Sequence, residues 1–242
     1  MTGDRLPRHQ VPAAFDRGAA AYDRLVSVNP GYHAHLRRSA RELSLPARGA
    51  GSRLLDAGCG TGASTAALVA AAPRAEIVGV DASPGMLAQA RAKHWPATVQ
   101  FVHSRIEELA EAGIAGPFDA IFAAYLIRNL PDPDTGLASL CALLRPGGVL
   151  VVHDYTVRDS LIGRLVWHAV CWSVIIPAGW LTTGDADLYR YLWRSVLDFD
   201  GARGFADRLR RIGFTDIHTS TVTGWQRGIV HTFRATRWLE RA

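Results

Sequence analysis

Cysteine is scarce. Three residues, Cys59, Cys141 and Cys171, offer neither an even disulfide framework nor a CxxC metal pair, which excludes a stapled scaffold and favours a reducing compartment. The nine histidines show no metal-ligand spacing such as HExxH. The N-terminus has basic residues but no apolar core of signal-peptide length, so export is not expected. The greasiest stretch, Leu161 to Leu181, is interrupted by Arg164, His168 and Pro177. A spanning helix needs about 20 mainly apolar residues with few charges, so no transmembrane segment is expected. Charge of one sign is nowhere gathered in a block: 27 Lys plus Arg against 22 Asp plus Glu give a dispersed net +5, which argues against nucleic-acid binding. Weak attraction to an anionic membrane surface stays open. Internal repeats and low-complexity segments are absent too.

What is present is a globular composition: 242 residues, 48% hydrophobic, 20% charged, with 23 Gly and 12 Pro spread along the chain. That length fits one domain with an appendage and buries a sizeable core. From Phe15 to Leu43 the apolar spacing is helical, with Phe15, Ala19, Tyr22, Leu25 and Val26 on one side and a break at Asn29-Pro30-Gly31. This forms an N-terminal helical cap over residues 1–48. Short apolar runs then alternate with helical segments. Strands are expected at Arg53–Asp56, Ala75–Asp81, Val99–Val102, Phe118–Ala124 and Val149–Asp154, with helices near Ser64–Ala72, Ser83–His94, Ile106–Ala112 and Thr135–Leu144.

Five such strands imply an α/β fold with a mostly parallel sheet, helices on both faces, and ligands beyond the carboxyl ends of the strands. Residues 157–200 carry Trp167, Trp172 and Trp180 among many aliphatics and read as an inserted helical lid after the fifth strand. An amphipathic helix over Ala202–Ile212, capped by Gly213, and strands at Thr215–Thr219 and Gly228–Ala235 close the chain. The core is therefore expected over residues 49–156 and 201–242.

The run Leu54-Leu55-Asp56-Ala57-Gly58-Cys59-Gly60-Thr61-Gly62 ends a strand and opens a helix. Alternating glycines let the backbone approach a ligand with no Cβ in the way. A tight ligand-free turn would use the same residues, and Gly58, Gly60 and Ala63 also satisfy a nicotinamide-cofactor pattern. Asp81, ending the second strand, can accept hydrogen bonds from both hydroxyls of a ribose. Asp56, just before the first glycine, attracts a cationic amine and suits a pyrophosphate poorly, so S-adenosylmethionine fits better than NAD.

Asp56 followed by Gly58, Gly60 and Gly62 resembles the first motif of the class I S-adenosylmethionine-dependent methyltransferases. That resemblance implies a Rossmann-like, doubly wound seven-stranded sheet and maps the cofactor-binding residues onto Asp56, Gly58, Cys59, Gly60, Asp81, Ala82, Arg105, Ile106 and Ala124. Two positions depart from the pattern. Arg105 stands where an acid would hold the adenine amine, with Glu107 or a backbone group as a substitute, and Ala63 stands where Asp usually follows the third glycine.

Phe118–Leu130, with Arg128-Asn129, and the later Leu144-Arg145-Pro146-Gly147-Gly148 resemble the ubiquinone/menaquinone biosynthesis C-methyltransferases in particular. The likeness runs from Phe15 and Ala21-Tyr22-Asp23 through Thr183-Gly184-Asp185 and Tyr189-Arg190-Tyr191-Leu192 to Gly228-Ile229-Val230-His231, with Trp225-Gln226-Arg227 as an embellishment before the last strand. It implies methylation of a quinol or related phenolic ring carbon. Arg128 would stabilise the acceptor oxyanion, Asn129 would hold a water or substrate oxygen, and Tyr22 would close over the site. Position alone would instead pair Arg128 with Asp132 or Asp134 on a surface loop and make Tyr22 a packing residue.

His153, ending the fifth strand, is a candidate general base, whereas His231 is read as structural. An O-methyltransferase of a specialised metabolite and a non-methylating protein on the same fold are the alternatives. The expected partner is an aromatic, apolar small molecule, with a homodimer and peripheral membrane contact left open and a cytoplasmic location as the default.

Overall fold

A computed structural model describes residues 7–27, 29, 31–183 and 186–238, so Pro30, Gly184 and Asp185 lie outside the described residues, as do the side chains of Ala21, Leu25, Val26 and Thr183. Among the described residues seven strands form one sheet: β1 (Arg53–Ala57), β2 (Glu76–Asp81), β3 (Val99–His103), β4 (Phe118–Ala124), β5 (Leu144–Tyr155), β6 (Phe214–Thr221) and β7 (Val230–Arg237). Their order is β3-β2-β1-β4-β5-β7-β6. The first five strands pair in parallel, and β7 runs antiparallel to both β5 and β6. Strand order reverses between β1 and β4, and a ligand crevice opens at such a switch point.

Side-chain alternation assigns each strand to two cores. Leu55 and Ile121 pack with Phe118, Phe205 and Phe233 on one face, while their neighbours Leu54 and Phe122 pack with Leu36, Leu68 and Ile77 on the other. Nine α-helices are seen among the described residues. Two precede the sheet, α1 (Val11–Ser27) and α2 (Tyr32–Arg41), the second entered through a left-handed Gly31. Between the strands run α3 (Ala63–Ala71), α4 (Pro84–Arg91) and α5 (Pro133–Leu143). Then come α6 (Leu161–Val170), α7 (Ile176–Thr183) and α8 (Asp187–Asp198), which enclose a third core around Trp167, Cys171, Tyr189 and Val196. The last, α9 (Ala202–Ile212), buries Phe205 and Leu209, turns Arg203, Arg210 and Arg211 outward and ends at Gly213 in the left-handed conformation.

Several boundaries differ from expectation. The helix expected near Ile106–Ala112 is one 3₁₀ turn, Ile106–Glu108. Leu144 starts β5 rather than ending α5, because Phe118 at the edge of β4 pairs with it. Neither Arg164 nor Pro177 ends the lid helix. A π turn at Cys171–Ile175 joins α6 to α7 and absorbs the irregularity that a proline, lacking an N–H, imposes on the ladder.

Candidate active site

The loop after β1 is held from beneath. Gly58 and Cys59 N–H both donate to Val80 O at 2.8 and 2.9 Å, and Gly60 N–H donates to Asp81 Oδ2 at 2.8 Å. Asp81 Oδ1 accepts from Ser83 N–H at 2.9 Å. Burial raises the Asp81 pKa, against the pull of these N–H donors. Gly58 has φ +71°, and a Cβ there would lie 2.8 Å from Leu126 Cδ1, so both conformation and packing demand glycine. Gly60, at φ +54°, faces open space: no heavy atom would lie within 4 Å of its Cβ.

That space belongs to a cavity at the carboxyl ends of β1, β2 and β4. Gly58, Cys59, Gly60, Asp81, Ala82, Arg105, Ile106, Ala124, Asn129 and Tyr22, all singled out from the sequence, line it. Arg105 stands at its half-exposed rim, 4.0 Å from Glu108, and Glu107 lines the same cavity. Two aspartates of α1 fasten that helix over the mouth. Asp16 Oδ1 accepts from Ser83 Oγ at 2.9 Å and Gly85 N at 2.6 Å, while Asp23 takes the Thr61 hydroxyl and the Lys93 ammonium, the latter at 2.6 Å.

Asp56 is the exception among the cofactor-binding candidates. It is fully buried beneath the loop, and its Oδ2 accepts from Ser64 Oγ at 2.8 Å and Thr65 Oγ1 at 2.6 Å. Burial raises its pKa to about 7, although both hydroxyls favour its charge. It anchors the start of α3 and does not line the cavity, because its side chain points into the strand–helix junction rather than towards a ligand's amine.

A second cavity adjoins the first. Phe15, Tyr22, Tyr32 and Tyr125 line both and form the partition. Its far wall is apolar, with Trp167, Val174, Leu192 and Val196. Tyr125 adopts the left-handed conformation, φ +56°, a strained state for a non-glycine residue. It stacks on Tyr32 at 5.6 Å, and the Tyr155 ring lies 5.2 Å away. Arg128 lines this second cavity, only 4% exposed, within 6 Å of the Tyr125 and Tyr155 rings.

The partner of Arg128 is Asp154, fully buried at the end of β5, and not Asp132 or Asp134. Asp132 caps α5 and Asp134 pairs with Arg208. Burial disfavours the guanidinium charge, but Asp154 together with Tyr155 and Tyr191 outweighs it and the Arg128 pKa rises. Burial likewise raises Asp154, with Arg128 pulling the other way. Arg128 Nε and Asp154 Oδ2 have no hydrogen-bond partner among the described residues. Burial also raises Tyr22, Tyr32, Tyr125 and Tyr155, so these phenols stay protonated at neutral pH.

Asn129 donates to Tyr125 O at 2.8 Å and accepts from Tyr191 OH at 3.1 Å, tying the β4 loop to α8. His153 reaches neither cavity. It is fully buried, meets Thr232 Oγ1 at 2.9 Å, and burial lowers its pKa to about 3. The general-base reading of His153 is therefore corrected: burial leaves its imidazole neutral and too weak a base at neutral pH, and it lines neither cavity, so it packs the sheet. His231, hydrogen-bonded to Thr156 at 2.6 Å, is similarly structural. The sequence reading had no signal for Asp16, Tyr32, Tyr125 or Tyr155. Asp154 stood beside His153 in the strand pattern, where a period of two puts neighbours on opposite faces.

Comparison with known proteins gives a consistent match. The model of the ubiE/COQ5 methyltransferase family matches residues 4–237. The ubiquinone/menaquinone biosynthesis C-methyltransferase UbiE of Syntrophotalea carbinolica is 34% identical over 99% of both chains. The demethylmenaquinone methyltransferase of Clavibacter sepedonicus is 31% identical over 94% of this chain and 90% of its own. The crystal structure of an S-adenosylmethionine-dependent methyltransferase from Thermotoga maritima shares the fold at TM-score 0.66 and 20% identity, covering 94% of this chain and 99% of that one.

Proposed function

The chain belongs to the ubiE/COQ5 methyltransferase family and is an S-adenosylmethionine-dependent methyltransferase, and from that premise we propose that it methylates a ring carbon of a quinol or related phenol. One observation carries the reading: a buried cation, Arg128, faces an aromatic cavity separated from the glycine-loop cavity by three tyrosines and a phenylalanine. When bound, the cofactor supplies an electrophilic methyl group on a sulfonium, suited to in-line displacement. The glycine loop, Asp81 and the Ser104-Arg105-Ile106 turn would hold it, since Gly60 leaves open space where a side chain would intrude and Asp81 still has lone pairs free beside its two backbone bonds.

The protein's task at the acceptor is electrostatic. A phenol is a poor carbon nucleophile until its hydroxyl ionises. Arg128 cannot act as a base, because its pKa lies far above neutrality, but it lowers the acceptor's pKa, so that the hydroxyl proton is lost to solvent water before the site closes, and it stabilises the phenolate in a site of low dielectric. Asp154 fixes the guanidinium so that little reorganisation remains when charge develops. Tyr22 and Tyr125, protonated and at the partition, orient the ring between the two cavities and exclude water. Asn129 holds the strained Tyr125 loop by donating its side-chain amide to the Tyr125 carbonyl. The reading extends to a cytosolic enzyme that meets its apolar acceptor at a membrane.

The test is turnover with S-adenosylmethionine and short-tailed demethylated quinols kept reduced, alongside simple phenols, with S-adenosylhomocysteine and the product quantified by mass spectrometry. A ring-methylated quinol is expected. A methyl ether as the sole product would replace the reading with O-methylation, and tight cofactor binding without product from any acceptor would abandon it.

A further inference from the structure

The helix from Leu161 to Thr182 is long and apolar enough to cross a bilayer by length and composition, yet it is built into the protein along one side. Trp167, Cys171 and Gly179 are buried against the third core, with Trp167 4.7 Å from Tyr155 and its Nε1 donating to Trp193 O at 3.1 Å. The opposite side carries Leu161, Ile162, Leu165, Trp172, Trp180 and Leu181, between 53% and 75% exposed. A surface helix normally turns polar residues outward, and one that is apolar all round belongs in a core or against lipid. No carboxylate occurs between Leu161 and Thr183. Three arginines border the strip without a carboxylate partner among the described residues. Arg164 lies on the helix itself. Arg227 lies in the β6–β7 turn, whose Gly228 carbonyl would sit 3.3 Å from a Cβ on Gly163. Arg194 lies 5.9 Å from the Trp193 ring, which packs on Trp172 at 5.4 Å.

The second cavity opens beside this strip: Val174 and Trp225 both line it and are 57% and 40% exposed. We propose that the exposed face of Leu161–Thr182 is a docking surface for an anionic phospholipid bilayer, on which the helix lies flat with the acceptor cavity opening onto the lipid. The apolar side chains enter the acyl boundary, the tryptophans sit at headgroup level and the arginines meet lipid phosphates, the arrangement of an interfacial helix. A second copy of the chain would bring the same three arginines together across the contact, whereas an anionic bilayer neutralises them. The proposal rests on the quinol reading for its purpose, since an apolar acceptor partitions into lipid, but not for its detection.

The experiment is co-sedimentation of the full chain with vesicles of pure phosphatidylcholine and of equimolar phosphatidylcholine and phosphatidylglycerol, with no acceptor present. The wild type should bind the anionic vesicles more tightly than the neutral ones, and Leu165→Glu/Leu181→Glu should bind them at least tenfold more weakly. Neither residue lines either of the two cavities described above, so the variant should turn over a water-soluble short-tailed acceptor as the wild type does, and its S-adenosylhomocysteine affinity, which needs no acceptor, should be unchanged. A wild type that stays in the supernatant, or a variant that binds vesicles as well as the wild type, overturns the proposal. So does a dimer by light scattering that the double substitution dissolves while vesicle binding is absent, which would assign the face to a second copy. Vesicle binding with no quinol turnover leaves the surface standing and removes only the acceptor reading.

Discussion

The Arg128–Asp154 pair separates what stabilises the site from what drives the reaction. Asp154 is fully buried and Arg128 4% exposed, so removing one partner leaves a buried charge with nothing to balance it. Breaking such a pair costs about 3–5 kcal/mol, whereas replacing both members with apolar side chains of similar volume is roughly neutral. Asp154→Asn should therefore lose about 3 kcal/mol or more of unfolding free energy in urea titration, and Arg128→Met a comparable amount at neutral pH. The Arg128→Met penalty should shrink on acidification. Without the guanidinium, burial raises Asp154 further above its unfolded value near 3.9, the folded chain binds the proton first, and stability rises as pH falls through that raised value. Arg128→Met/Asp154→Leu should recover stability close to wild type. Turnover should follow a different order. All three variants should bind S-adenosylhomocysteine normally, while the two lacking the cation should lose about 10²–10³-fold in the methyl-transfer step, the range for removing one preorganised group that stabilises an oxyanion. Single-turnover product formation and calorimetric cofactor titration measure the two quantities separately. A stable, fully active double variant would refute the assignment of Arg128, and an Asp154→Asn protein as stable as wild type would refute the buried-pair argument.

Two further outcomes test other parts of the site. Gly60→Ala should cost only about 1–2 kcal/mol for its left-handed conformation, yet weaken S-adenosylhomocysteine binding at least tenfold because the new methyl enters the cavity; Gly58→Ala adds a 2.8 Å clash with Leu126 and should unfold at lower temperature than Gly60→Ala. Unchanged cofactor affinity in a folded Gly60→Ala would contradict the site. His153→Gln should keep turnover within about twofold, the expected size for a residue that touches no reacting group, and alter only the pH dependence of stability. Burial lowers His153 to about 3, so between its unfolded value near 6.5 and that value the unfolded chain binds a proton the folded chain does not, and wild-type stability is lost as pH falls through this window. The buried Asp56, raised to about 7, acts in the opposite direction in both proteins. Urea unfolding at pH 7 and pH 4.5 should thus show a smaller acid loss in the variant, and an equal loss would contradict the assignment.

Much of this architecture is local information. Hydrophobic period, glycine placement and capping residues set where β1, β2, β4 and α9 run, and alternation along β4 already divides Ile121 from Phe122 between two cores. The glycine loop and Asp81 are legible because a tight strand–helix turn that admits a ligand needs those residue types at that spacing. Their neighbours reach the same cavity by adjacency along the chain. The lid's apolar run was legible too, but not that half of it would face outward.

What only the tertiary structure decided depends on the far end of each side chain. Asp56 and Asp81 both belong to strand ends beside the loop, yet Asp56 turns inward to two hydroxyls of α3 while Asp81 meets backbone N–H groups at the cavity. Asp154 and His153 are adjacent in sequence and opposite in role, because a strand sends successive side chains to opposite faces and pairing register decides which face holds the site. Arg128 finds a partner 26 residues away rather than the nearby carboxylates, and Tyr22, Tyr32 and Tyr125 meet from three separate elements. Sequence specifies turns and faces through short-range sterics and periodicity. Long-range partners are set by burial, since a charge or hydroxyl removed from water must find its complement wherever packing has brought one.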